Sequence, residues 1–233
     1  MRIATPLTLS SLEKKTGVSF KNKDLLAQAL THRSAIREKK RHGHNERLEF
    51  LGDAVLQLVA TEYLFSLSSR PEGELTNWRS ALVQGNHLSR VAQELEMGNY
   101  IFLSRGEEAS GGRTKDSTLA DAMEAFIGAI YLDQGFESAK TFVHRFILVN
   151  LHSLLAAGMH RDEKSVLQES SQERMGITPR YETINETGPD HQKLFTCAVF
   201  IGEEQVASGT GNTKQKAEQS AAKAALSVKG WKK

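Results

Sequence analysis

Apolar residues recur at helical spacing through the first two thirds of the chain and switch to strict alternation in part of the last third. Between Asn45 and Ser66 the residues Leu48, Leu51, Val55, Leu58 and Val59 fall on one side of a helix, predicting a long amphipathic element with a core-facing seam. The run Leu119 to Leu132 predicts a second, more buried helix entered near Ser117. Gly73 to Val83, Asn86 to Met97 (with Gly98 as its stop) and Phe136 to Leu155 read as further helices, the last burying Ala139, Phe142, Val143, Phe146 and Ile147. Ser10 or Ser11 can cap a first helix, Asn22 or Asp24 a second and Asn45 the long one. Ser104 to Ser117, with Gly106, Gly111 and Gly112, reads as a loop.

Periodicity stops at Ala156 to Arg161, where small and polar residues take over. Beyond it the order is α-β-β-β-α: a helix over Glu163 to Met175, strands over Tyr181 to Thr187, Lys193 to Ile201 and Glu204 to Thr210, and a helix over Thr213 to Val228. In the middle strand Phe195, Cys197, Val199 and Ile201 alternate with Thr196, Ala198 and Phe200, the period of a sheet with one buried face. Ala217, Ala221, Ala224, Ala225 and Val228 give the last helix a small-residue stripe able to lie close on that sheet. The expected fold is an all-α domain over residues 1–157, a linker over 158–162 and a small α+β domain over 163–233.

Composition changes this picture little. A chain of 233 residues can hold one substantial core and a small second domain. Its single cysteine, Cys197, excludes an intramolecular disulfide and suits a reducing compartment. The longest uninterrupted apolar candidate, Ala125 to Leu132, is far too short to span a bilayer, so a soluble, cytoplasmic protein with no membrane partner is expected. Charge is more informative by position: residues 210–233 hold six Lys against one Glu, a basic concentration suited to phosphate contact or to a solvated helix end.

Carboxylates carry the candidate chemistry. Glu46, Glu49 and Asp53 fall within about 60° of one another around the long helix, on the side away from its apolar seam. Asp121 and Glu124 form a second pair one turn apart inside an apolar run, where uncompensated charge is costly. Spacing alone allows solvated surface, but a divalent cation would remove the mutual repulsion. Ligands that are all oxygen point to magnesium, ahead of manganese or calcium. Arg113 and Lys115, in the preceding loop, can meet phosphates or simply be solvated. Phe50 lies on the acidic side of its helix, where it cannot easily enter its own core.

The stretch Asn45 to Leu56, NERLEFLGDAVL, resembles the signature of the ribonuclease III family. Asp121 to Gly128 resembles that family's second acidic motif, and Thr31-His32-Arg33-Ser34 a third short one, in the usual order. Residues from Glu163 onward resemble a double-stranded RNA-binding domain. The resemblance implies a magnesium-dependent endonuclease of double-stranded RNA, with manganese a possible substitute, acting in ribosomal and other RNA processing and leaving 5′-phosphate and 3′-hydroxyl ends. It implies that Glu49, Asp121 and Glu124 hold the metal, that Asp53 completes the catalytic site beside Glu124, and that Glu46 and Glu72 stand at the rim. His32 and His44 are then structural or RNA-facing. In the second domain it implies RNA contacts by Gln168, Glu169 and Gln172, by His191, and by Thr213, Lys214 and Lys216; Gln215 departs from the family's usual basic residue. Phe50 would sit in a homodimer interface. The rival readings are a binder of double-stranded RNA that keeps the fold without cleavage, and a helical phosphohydrolase of small nucleotides. Retention of every inner carboxylate argues against the first, and the RNA-binding pattern against the second.

Overall fold

The computed structural model describes residues 6–35, 43–156, 163–189 and 193–231. The chain divides into two compact units, Met1–His160 and Arg161–Lys233. Among the described residues the first unit contains α1 (Pro6–Thr16), α2 (Lys23–Ala29), α3 (Glu46–Leu67), α4 (Glu72–Val83), α5 (Gly85–Glu94), α6 (Arg105–Ala109), α7 (Asp116–Gln134), α8 (Phe136–Phe146) and α9 (Leu151–Ala156). The expected linker and the expected RNA contact at His191 lie outside the described residues.

α3 and α7 form the central pair. Leu48, Val55, Leu56, Val59, Ala60 and Leu64 of α3 bury against Leu119, Met123, Phe126, Ile127 and Ile130 of α7. Two glycines set how closely they pack. A Cβ on Gly52 would lie 1.8 Å from the Glu124 carbonyl oxygen, and one on Gly128 would lie 2.2 Å from that of Leu48. The helices therefore meet backbone to backbone, which places Glu49 and Asp53, flanking Gly52, alongside Asp121 and Glu124, the turns preceding Gly128.

The seam read from periodicity is too wide: Leu51 is only half-buried and Leu58 is 57% exposed. By length and composition α3 would also pass as a membrane-crossing helix, a second departure from the expectation of short apolar runs. It is instead an element of this core, and it carries Glu46, Glu49, Asp53 and Glu62.

Other boundaries differ for local reasons. α1 begins at Pro6, a residue suited to a first helical turn, so Ser10 and Ser11 lie inside it. Asn22 does cap α2, accepting from the Asp24 N–H. The loop after Ser104 contains α6, capped by the Ser104 hydroxyl accepting from the Glu107 N–H. α5 stops at Glu94, and Glu96, at φ 53°, turns the chain into a short 3-10 segment over Met97–Tyr100. The predicted helix over Phe136 to Leu155 breaks between α8 and α9, where Ile147 turns its carbonyl to His87 Nε2 (3.3 Å) and the Asn150 N–H (3.3 Å).

The second unit comprises α10 (Glu163–Met175), β1 (Arg180–Thr187), β2 (Leu194–Ile201), β3 (Glu204–Gly211) and α11 (Lys214–Val228). The strands form an antiparallel sheet in the order β1-β2-β3, with Tyr181 opposite Val199 and Val199 opposite Ala207. Leu167, Val199, Ile201, Val206 and Leu226 form its core. Glycine again permits close packing: a Cβ on Gly209 would lie 2.2 Å from the Ala221 nitrogen, and one on Gly211 2.5 Å from that of Ala217. Ala217, Ala221, Ala222 and Ala225 are buried at that contact, whereas Val228, expected in the stripe, is 68% exposed.

Candidate active site

At its amino end α3 rests on the segment that carries the short Thr31 to Ser34 motif. The Asn45 N–H donates to the Thr31 carbonyl (2.9 Å), and the Asn45 carbonyl accepts from the Leu48 and Glu49 N–H groups (2.8 and 2.9 Å). Asn45 occupies the cap position but makes no side-chain capping bond. Phe102 links the same segment to the chain entering α6, through His32 N–H to Phe102 carbonyl (3.1 Å) and Phe102 N–H to Leu30 carbonyl (2.7 Å). A polar cavity of about 470 Å³ results, lined by His32, Arg33, Asn45, Glu46, Glu49, Lys115, Ser117, Thr118 and Asp121.

The acidic groups here feel one another. Burial, then the charges of Asp53, Glu49 and Asp121, pushes the Glu124 carboxyl up to about 8. Burial also raises Glu49, with Asp121, Glu46 and Asp53 adding to the effect. Asp121 is raised by burial, against which His32, Lys115 and Arg33 favour its charged form. The four carboxylates predicted as inner residues are thus brought together from two helices, and Glu46 joins them at the edge. The Arg33 guanidinium and His44 Nδ1 each stand 3.6 Å from the Glu46 carboxylate.

Such a set suits a hard divalent cation. It offers oxygen donors alone, and it holds anions that repel when ionised. Glu49, Asp121 and Glu124 would hold the ion, with Asp53 beside Glu124. Among the described residues no three Asp, Glu, His or Cys side chains are already gathered closely enough to hold an ion as they stand.

Other predicted residues fall elsewhere. Glu72, expected at the rim, accepts from the Thr76 hydroxyl (3.0 Å) and lines a separate cavity of about 400 Å³ with Leu64, Phe65, Arg70 and Leu75. It begins a different helix, and within one chain nothing carries it to the acidic cavity. Arg113 is not free to meet phosphates, since it donates to Glu108 (2.7 Å) and to the Gly98 and Ile101 carbonyls (2.9 and 2.7 Å). Lys115 does line the acidic cavity. Sequence reasoning missed Thr118 there and read Asn45 only as a cap; the polar residue one turn before Asp121 was the available signal.

In the second unit Gln168, Glu169 and Gln172 lie on the exposed face of α10, Gln172 donating to the Thr178 hydroxyl (3.1 Å). Thr213 caps α11, its hydroxyl accepting from the Lys216 N–H (3.2 Å). Lys216 is exposed, and Lys214 reaches back to Glu186 (3.2 Å). The predicted residues therefore stand at two helix surfaces, α10 and the amino end of α11.

Residues 22–151 match the family described as Ribonuclease-III-like, and residues 163–229 match the double-stranded RNA binding motif. The chain is 46% identical over 219 residues to a Ribonuclease 3 of Treponema denticola, covering 93% of this chain and 89% of that one. It is 44% identical over 221 residues to a Ribonuclease 3 of Pelotomaculum thermopropionicum, covering 94% and 92%. Among solved structures it is similar to the nuclease domain of ribonuclease III from Campylobacter jejuni, at 48% identity and a TM-score of 0.57, over 61% of this chain and 97% of that domain. That structure is described for flexibility in a region involved in dimer formation.

Proposed function

The chain belongs to the ribonuclease III family, and on that premise we propose that it is a magnesium-dependent endonuclease that hydrolyses double-stranded RNA to 5′-phosphate and 3′-hydroxyl ends. The observation that carries this reading is the crossing of α3 and α7 at Gly52 and Gly128, which aligns Glu49, Asp53, Asp121 and Glu124 at one site. Manganese, with the same preference for oxygen donors, is the expected substitute. A bound divalent cation would supply an acidified water as nucleophile and stabilise charge on the leaving oxygen. The chain's residues fix where that happens: Glu49 and Asp53 stand one turn apart on α3, and Asp121 and Glu124 face them from α7. The second unit would supply affinity, because recognition by duplex shape and phosphates needs no base contacts. Ribosomal and messenger precursors in the cytoplasm, with their long hairpins, are the substrates this chemistry fits.

Purified protein incubated with a long duplex RNA, with magnesium or with a chelator, tests this reading. Short duplexes that accept a 3′-end adaptor without phosphatase treatment are expected only with magnesium. Intact RNA, or cutting unaffected by the chelator, would refute it.

A homodimer belongs to the same proposal. Phe50, Leu58 and Phe65 are 82%, 57% and 81% exposed. They lie within about 80° of one another around α3. An exposed aromatic stripe on a core helix is the kind of surface that marks a protein contact. A two-fold dimer would cover it by the same surface of a second copy and set two cutting sites across one duplex.

A further inference from the structure

The acidic cavity is also lined by basic and neutral polar groups that metal binding leaves unexplained. We infer that they form a phosphate subsite, in which the Asn45 amide, the Thr118 hydroxyl and the Lys115 ammonium hold the phosphate at the cut while the carboxylates hold the cation. The inference rests on the nuclease reading and assigns residues to it beyond the carboxylates.

Asn45 and Thr118 are 3% and 4% exposed, and both line the cavity. Neither side chain hydrogen-bonds to another described residue: the Asn45 cap bond is absent, and no protein partner meets the Thr118 hydroxyl. Their polar atoms are open to the cavity, so the amide N–H and the hydroxyl can donate to a ligand there.

Charge selects the ligand. Glu46, Glu49 and Asp121 line the cavity together with His32, Arg33 and Lys115, with Arg33 3.6 Å from Glu46 and Lys115 favouring the charged form of Asp121. A phosphate paired with a cation meets both signs of charge in this lining. The His32 ring is held in place. His32 Nδ1 accepts from the Ser34 N–H (3.2 Å) and meets the Ser34 hydroxyl (2.8 Å). In the neutral ring that leaves the proton on Nε2 as a donor. Ser34 is fixed in turn by the Ser104 N–H (3.1 Å). Ser117 and Thr118 stand in the first turn of α7, whose N–H groups and dipole favour an anion. The one carboxylate of that turn, Asp116, is engaged by Gln93 Nε2 (3.2 Å).

The test uses the full chain and two short RNA duplexes identical but for their recessed 5′ ends, one phosphorylated and one hydroxyl. Affinities are read by competition in magnesium, with cleavage of a long duplex in parallel. Wild type should prefer the 5′-phosphoryl duplex by about tenfold, as expected for a charge-assisted contact. Lys115→Met and Thr118→Val should reduce that preference to less than about twofold with little change in affinity for the hydroxyl duplex, and Lys115→Arg and Thr118→Ser should retain it. Lys115 is exposed, so Lys115→Met decides the question should Thr118→Val fail to fold. A wild type that cuts long duplex but shows no preference, or a Lys115→Met protein with the preference intact, overturns the subsite and leaves the nuclease reading standing. A Lys115-dependent preference in a protein that cuts nothing supports the subsite and removes the nuclease.

Discussion

Glu124 is the residue whose environment asks most of it. Burial and three neighbouring carboxylates raise it to about 8, so the folded protein without a cation keeps a proton there that the unfolded chain has lost. Because the folded value lies above the unfolded one, this group costs no stability below about pH 4.5 and destabilises increasingly as pH rises towards about 8. Glu124→Gln removes the effect. In chelator the variant should be more stable than wild type at pH 8, by on the order of 1 kcal/mol once solvent screening is allowed for, and nearly equal to it at pH 4.5. Denaturant melts at both pH values check this, and a variant less stable at pH 8 would show that the carboxylate is stabilised as it stands. Glu124 was legible less from its spacing with Asp121, which also allows solvated surface, than from the motif Asp121 to Gly128 that carries the family resemblance. Thr118 and the Asn45 side chain were not, because a polar residue at a helix start is ordinarily a cap and only the cavity shows that neither group caps anything.

The long helices were legible as elements, but their crossing was not. Gly52 interrupts a run of good helix formers, and that cost has no explanation until Gly128 is seen opposite it. Gly52→Ala forces a methyl group into the α7 backbone. It should destabilise the first unit by about 3 kcal/mol or more and abolish cleavage, since relief requires the helices to separate. Gly209→Ala makes the comparable clash between β3 and α11, and should weaken RNA binding while leaving the melting of the first unit unchanged. Calorimetry on both variants checks this, and a Gly52→Ala protein with native stability and activity would contradict the close crossing. The break between α8 and α9 was hidden for a related reason. Its cause is a tertiary hydrogen bond from His87 to Ile147, which periodicity cannot report. Leu58 was misplaced because periodicity describes a stripe and not how far a neighbouring helix covers it.

At the scale of the molecule, the exposed Phe50, Leu58 and Phe65 predict self-association. Sedimentation at micromolar concentration should show a wild-type dimer. Phe50→Glu should weaken or split it, since each buried, unpaired carboxylate would cost several kcal/mol; a monomeric wild type, or an equally tight mutant dimer, would remove Phe50 from the interface. Phe50 gave this away in the sequence by lying on the acidic side of its helix, whereas Phe65, a turn from the helix end, carried no such mark. The proposed cleavage needs less than the assembly, only a cation site formed by the carboxylates where α3 and α7 cross. Single-turnover cleavage of saturating duplex RNA by wild type and Glu124→Gln, across a magnesium titration with duplex affinity measured alongside, tests it most directly. The Gln variant should bind RNA as wild type does and lose several orders of magnitude in rate at every magnesium concentration, because the amide keeps the volume but not the charge the cation needs. Cleavage by Glu124→Gln within about tenfold of wild type, a barrier change under about 1.4 kcal/mol, would contradict it.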